Sequence, residues 1–195
     1  MNTHVILLHG FNVRDGGKGS VGKLMMFFEA AGCSVELMSY GYFNVFMPRW
    51  RNKTVARDLA DKVARVKAAG YRCVVCAHSN GAAITHLAGK KHDAPIDKVM
   101  YINPALDAGV RFPESFGAFD VWHNPKDIIV KLARLIPWHQ WGSMGAVGYT
   151  RFDHRGHNYN MLTNFDLPSA LHSSIFHDPA RAVFGPLIAQ KALES

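Results

Sequence analysis

The chain has 195 residues, 48% of them hydrophobic and 19% charged, and its 22 basic and 15 acidic side chains leave a formal net charge of +7. That length suits one domain with a large buried core, and the apolar fraction, with only 17 Gly and 9 Pro, excludes a disordered, fibrous or low-complexity chain. No apolar run approaches the ~18 residues of a membrane span, and the first residues lack the basic head, apolar stretch and cleavage site of a signal peptide, so a soluble, cytoplasmic protein is expected.

In chain order, residues 4–8 read as a strand that runs into a glycine-containing loop, 9–20. Residues 21–31 place Leu24, Met25, Phe27 and Phe28 on or near one face of a helix that Gly32 stops. A second strand covers 34–40. The clearest helix is 54–69, where Val55, Leu59, Val63 and Val66 recur at spacings of four, four and three before Gly70. Strands follow at 72–77, 98–102 and 118–123, and a helix opens at 81–88. Residues 128–135 read as a helix stopped by Pro137, 158–164 as the last strand, and 179–193 as a final helix with a candidate kink at Gly185-Pro186. Strands alternating with helices of this length predict an α/β fold: a three-layer sandwich with a mainly parallel sheet of about six strands and helices on both faces. With no repeat, linker or composition break, residues 1–195 are expected to form one domain.

Three cysteines are an odd number and too few for a disulfide framework. Cys73 and Cys76 form a Cys-x-x-Cys, but they lie in the apolar run Arg72-Cys73-Val74-Val75-Cys76. Three residues apart on a strand, they point to opposite faces, and no second pair completes a zinc site, so they read as buried hydrophobes.

In a parallel sheet the functional groups gather beyond the carboxyl ends of the strands. The third strand ends in Ala77-His78-Ser79-Asn80-Gly81 and turns directly into a helix. A serine on that sharp turn projects its hydroxyl above the sheet edge. Its neighbours two residues to each side must be small, or their Cβ atoms would meet the adjoining elements. This is the nucleophile elbow, usually Gly-x-Ser-x-Gly, with Ala77 replacing the first Gly. The first strand ends in Leu7-Leu8-His9-Gly10-Phe11-Asn12.

In these two segments the chain resembles the α/β-hydrolase superfamily, and the motif order and spacing extend the resemblance over essentially the whole length, without pointing to a subfamily. It implies a minimal, nearly lidless α/β-hydrolase fold, with Ser79 as nucleophile. The backbone N–H groups of Asn80 and Phe11 would form an oxyanion hole, with Asn12 as the alternative to Phe11. It also implies the chain order Ser, acid, His. Asp127 follows the fifth strand at its carboxyl end and is the expected acid, although the position also suits an N-cap. Asp120 lies within the strand and Asp107 after a different one, so both rank lower. Four histidines follow in the last third: His154, His157, His172 and His177 (His139 lies too near the preceding helix). His154 and His157 have metal-pair spacing but no evident third ligand, and they precede the last strand. His177 adjoins Asp178-Pro179, a helix start. His172, in the loop between the last strand and the last helix, is the expected base.

A phosphate loop is a rival for Gly16-Gly17-Lys18-Gly19-Ser20, but the P-loop pattern fails at two positions, where Asn12 and Gly19 stand. Two aromatic segments, 41–53 and 135–149, supply candidate substrate-binding residues Phe43, Phe46, Trp50 and Trp138; they equally suit loop aromatics closing over the core. The densest basic group, Arg49, Arg51, Lys53 and Arg57, adjoins the first segment and favours an apolar or anionic small-molecule acyl substrate over nucleic acid. The expectation is a serine hydrolase of carboxylic esters or thioesters that uses no metal and no cofactor. A non-catalytic binding or adaptor protein, or an amidase or peptidase, is the alternative.

Overall fold

The computed structural model describes residues 2–42, 48–129, 141–163 and 172–194. Its six strands are β1 (Thr3–Leu8), β2 (Ser34–Met38), β3 (Arg72–His78), β4 (Ile96–Ile102), β5 (Phe116–His123) and β6 (Gly156–Asn160). They form one sheet in the order β2-β1-β3-β4-β5-β6, and every neighbouring pair is parallel. The helices are α1 (Met25–Ala30), α2 (Pro48–Ala68), α3 (Asn80–His92), α4 (Met144–Val147) and α5 (Ala180–Leu193).

The period of two along each strand divides the core into two layers. Ile6, Leu8, Cys73, Val75, Ala77, Val99, Tyr101, Phe119 and Val121 pack with Val55, Leu59 and Val63 of α2 and Ala82, Ile84 and Ala88 of α3. Val5, Leu7, Val74, Cys76, Met100, Ile102 and Trp122 face the other way, onto Phe28 of α1 and Phe184 and Ile188 of α5. Helices therefore cover both faces, as expected for the three-layer class. Cys73 and Cys76 fall in opposite layers, and burial pushes the Cys73 thiol up to about 12 and raises Cys76 as well.

Several boundaries depart from the sequence reading. Residues 21–31 divide into a 3-10 turn, Val21–Leu24, and the short α1. α2 starts at Pro48, six residues before 54, because its polar first turns carry no apolar period; Pro suits a first turn, where no N–H is needed. β6 is Gly156–Asn160, not 158–164; its residues are mostly polar, and pairing with β5 (Asp120 opposite His157) sets its position. Pro186 lies inside α5. Residues 130–135 of the helix expected at 128–135 lie outside the described residues.

The last helix is tied to the sheet at its C-terminal end, where cations suit its partial negative charge. Lys98 donates to the Lys191 carbonyl at 2.8 Å and pairs with the buried Asp120 at 3.1 Å. Arg72 donates to the carbonyls of Ala192 and Glu194. Asp120 is thus committed to the packing of α5. No described helix is long and apolar enough to cross a membrane.

His86 of α3 is 5% exposed with its ring edge-on to Phe112, and burial lowers its pKa to about 4. The unfolded chain takes up a proton near pH 6.5 that the fold refuses until near pH 4, so stability is complete above pH 6.5 and falls as pH drops through that window. This one group accounts for about 3 kcal/mol. Urea denaturation at pH 7 and pH 4 should show the loss, and His86→Leu should reduce it by about that amount.

Candidate functional site

Strand order reverses at β1 and β3, and the loops that leave their carboxyl ends meet there. Between β3 and α3, Ser79 adopts φ 54 and ψ −119, a left-handed φ that a serine holds only under constraint. Its N–H donates to the Ile102 carbonyl at 3.0 Å, and its carbonyl accepts the N–H groups of Ala82 and Ala105, each at 3.1 Å. The small neighbours have a visible cause. A Cβ on Gly81 would stand 2.7 Å from the carbonyl oxygens of both Leu8 and His9, and one on Gly10 would stand 3.0 Å from Ser79 Cβ. The loop after β1 and the elbow after β3 are therefore pressed together.

That first loop is pinned from behind. The Tyr40 hydroxyl lies 2.6 Å from the His9 carbonyl oxygen and 2.8 Å from that of Gly10. The His9 ring stacks on Tyr40 at 3.9 Å, with Nδ1 2.8 Å from the Gly10 oxygen. Burial lowers the pKa of His9 and raises that of Tyr40, so both stay neutral near pH 7. The Asn80 backbone N–H opens α3 and has no helical carbonyl one turn back to receive it. Its side chain is fully buried: it exchanges two hydrogen bonds with Asn52 of α2, at 3.0 and 3.1 Å, and accepts a third from Trp141 Nε1 at 3.1 Å.

His172 Nδ1 lies 2.5 Å from Oδ2 of Asp127, a carboxylate with no exposed surface just beyond β5. With Nδ1–H donating to that anion, Nε2 carries the lone pair. Nε2 is buried and has no hydrogen-bond partner among the described residues. No hydrogen bond therefore joins it to Ser79 Oγ. Ser79 and His172 line one cavity of about 230 Å³, together with Gly10, Phe11, Asn12, Ala105, Ile129 and Trp141.

The lower-ranked residues are engaged elsewhere. Asp107 closes a local turn by accepting the Gly109 N–H at 2.8 Å. Asp120 pairs with Lys98. His154 is exposed; His157, in β6 itself and not before the last strand, is also exposed and lies beside Asp120. The His177 carbonyl accepts the Arg181 N–H at the start of α5. In the loop that imitates a phosphate site, the Asp15 carboxylate takes the N–H groups of Gly17 (3.0 Å) and Gly19 (2.5 Å). Its own anion thus occupies the position a phosphate would need. Among the described residues no group of three or more His, Cys, Asp or Glu is placed to hold a metal.

Of the expected substrate-binding residues, Phe43, Phe46 and Trp138 lie outside the described residues. Trp50 is 85% exposed and is not among the residues lining the cavity. The apolar wall comes from Phe11, Ile129 and Trp141, with the Phe11 and Trp141 rings edge-on at 5.2 Å. Trp141 belongs to the aromatic segment 135–149 read from the sequence. Tyr40 and Asn52 carried no local signal, because their partners lie about 30 residues away along the chain.

No protein-family model matches the sequence, and no curated protein does. Solved structures do. One, a putative hydrolase of the alpha/beta superfamily from Xanthomonas campestris, is 15% identical with a TM-score of 0.57, covering 98% of this chain and 99% of its own. A protein from Thermus thermophilus is 15% identical with a TM-score of 0.60, covering 100% of this chain and 90% of its own. A carboxylesterase from Mesorhizobium loti is 15% identical with a TM-score of 0.53, covering 96% and 88%.

The close approach at Gly81 is open to a direct test. Gly81→Ala forces the new methyl against two backbone carbonyls, which cannot rotate aside as a side chain would. Stability measured by urea denaturation should fall by about 1–3 kcal/mol.

Proposed function

We propose that this chain, which has the α/β-hydrolase fold, is a serine hydrolase of carboxylic esters or thioesters, with Ser79 as nucleophile, His172 as general base and Asp127 as its orienting carboxylate. The observation that carries the reading is the state of His172. One ring nitrogen is held 2.5 Å from a fully buried carboxylate, while the other is buried, without a partner among the described residues, and part of a residue that shares a cavity with Ser79. The descriptions of the Xanthomonas and Mesorhizobium proteins as a putative hydrolase and a carboxylesterase support the same reaction class.

The chemistry follows from that arrangement. Ser79 Oγ attacks the acyl carbon as its proton passes to His172 Nε2. Asp127 holds the Nδ1–H tautomer and stabilises the imidazolium without itself taking the proton. The carbonyl oxygen becomes an anion and is met by the backbone N–H groups of Asn80 and Phe11. In a cavity lined by Phe11, Ile129 and Trp141, each such donor contributes about 3–4 kcal/mol. The tetrahedral intermediate collapses, the leaving alcohol or thiol takes the proton from His172, and an acyl-Ser79 ester remains. Water, deprotonated by His172, then attacks that ester and releases the acid. The uncharged lining suits the apolar part of an acyl group, and the cationic Arg51 and Lys53 at the start of α2 favour an anionic feature outside the cavity.

Hydrolysis of p-nitrophenyl butyrate tests the assignment. Ser79→Ala should lower turnover by about 10⁴–10⁶-fold with the fold intact, and Asp127→Asn by about 10⁴-fold through the wrong tautomer. A fluorophosphonate probe should label Ser79 and no other residue. Wild-type protein that neither turns over the ester nor accepts the probe would make this chain a binding protein on a hydrolase scaffold.

A further inference from the structure

The His172 carbonyl is contacted by side chains 69 and 94 residues away along the chain. Two side chains from the strand ends reach its main chain. Asn103, the residue after β4, donates from Nδ2 to the His172 carbonyl oxygen at 2.7 Å. His78, the last residue of β3, brings Nε2 to 3.4 Å from the same oxygen. Both are buried: Asn103 is 0% exposed and His78 3%. Asn103 is itself anchored, since its N–H donates to the Trp122 carbonyl at 2.8 Å. Its φ of 44 is a left-handed value that asparagine tolerates better than most residues. The His78 ring packs 4.7 Å from the His172 ring and edge-on to Phe176 at 4.9 Å.

We infer that Asn103, seconded by His78, is a positioning residue for the general base: it clamps the His172 carbonyl so that Nδ1 stays on Asp127 and Nε2 stays at the cavity shared with Ser79. This rests on the hydrolase reading above. The clamp solves an electrostatic problem as well as a geometric one. A base that becomes an imidazolium during turnover is opposed by any cation nearby. Asn103 is a neutral donor. His78 is kept neutral because burial, and secondarily the neighbouring His172, hold its pKa well below the ordinary value. With Nε2–H as its donor, neutral His78 leaves Nδ1 unprotonated, and Nδ1 sits where a Cβ on Gly10 would lie 3.0 Å away. Of two histidines in ring contact, only His172 is stabilised by a carboxylate, so only His172 is equipped to take the proton.

Two substitutions separate the hydrogen bond from the backbone conformation. Asn103→Asp keeps the size and the tolerance of positive φ but sets a carboxylate oxygen against the His172 carbonyl. Asn103→Gly keeps the backbone and removes the donor. Both should lower kcat by about 10²-fold, the cost of a small misplacement of a reacting group, with KM little changed. His78→Phe, which keeps the packing and loses the longer bond, should lower kcat less. In proton NMR, the far-downfield signal of the His172 Nδ1–H held by Asp127 should broaden or vanish in both Asn103 variants. If either variant fails to fold, the other carries the test. Wild-type kcat together with an unchanged downfield signal in a folded Asn103 variant overturns the clamp. Ser79→Ala is assayed alongside. If wild-type turnover does not depend on Ser79, the hydrolase reading fails, while the proton signal still reports on the clamp.

Discussion

Everything at this site depends on how closely two loops approach one another. Where the sheet reverses its order, the chain leaving β1 and the elbow leaving β3 come together so tightly that a methyl group on Gly81 would touch the Leu8 and His9 carbonyls. Helix α3 can begin there only if the chain turns within one residue, and Ser79 takes the left-handed φ that this demands. The strain is held by hydrogen bonds to the Ser79 backbone that come from beyond β4 and from α3. The same closeness that strains the serine brings the His9-Gly10-Phe11 segment beside it, so the proposed nucleophile and the proposed anion-stabilising backbone are brought together by one packing constraint.

Around the cavity several buried, neutral polar groups hold one another, while His172 Nε2 has no hydrogen-bond partner among the described residues. Tyr40 engages the His9 and Gly10 carbonyls, Asn52 and Trp141 engage Asn80, and Asn103 engages His172. Burial holds His9 and His78 in the neutral form. Beside His172, the proposed base, lies the buried carboxylate of Asp127. Fixed neutral dipoles around a single oriented carboxylate need little reorganisation when charge develops, which is the electrostatic condition for fast acyl transfer. The charged pairs that hold the fold lie elsewhere, as where Lys98, Asp120 and Arg72 fasten the end of α5.

Much of this was legible in the chain. The alternation of apolar strands with amphipathic helices specified a parallel α/β sheet, because a strand covered on both faces is apolar throughout and its crossover helix is apolar on one side. The elbow pentapeptide and His9-Gly10 were readable because their constraints act over a few residues: a tight turn, small neighbours, a strand before and a helix after. Asp127 and His172 were singled out because the resembled superfamily places an acid and a histidine after those strands, and the 2.5 Å contact joins residues 45 apart in sequence.

What the sequence did not yield has one physical cause: it belongs to pairs separated by long stretches of chain. Polar β6 is a strand because β5 pairs with it, and α2 starts at Pro48 although its first turns have no apolar period. Trp50 was read as a pocket aromatic but stands exposed, while Phe11, Ile129 and Trp141 form the wall. The grip of Tyr40 on the first loop, of Asn52 on Asn80 and of Asn103 on His172 spans 30, 28 and 69 positions. The sequence by itself determined the fold class and the sharp turn at Ser79, since these follow from local sterics and periodicity, while the order of the proposed reactive groups came from the family resemblance. The tertiary structure alone decided which neutral side chains hold those groups in place, because a hydrogen bond between distant residues leaves no periodic trace in either segment.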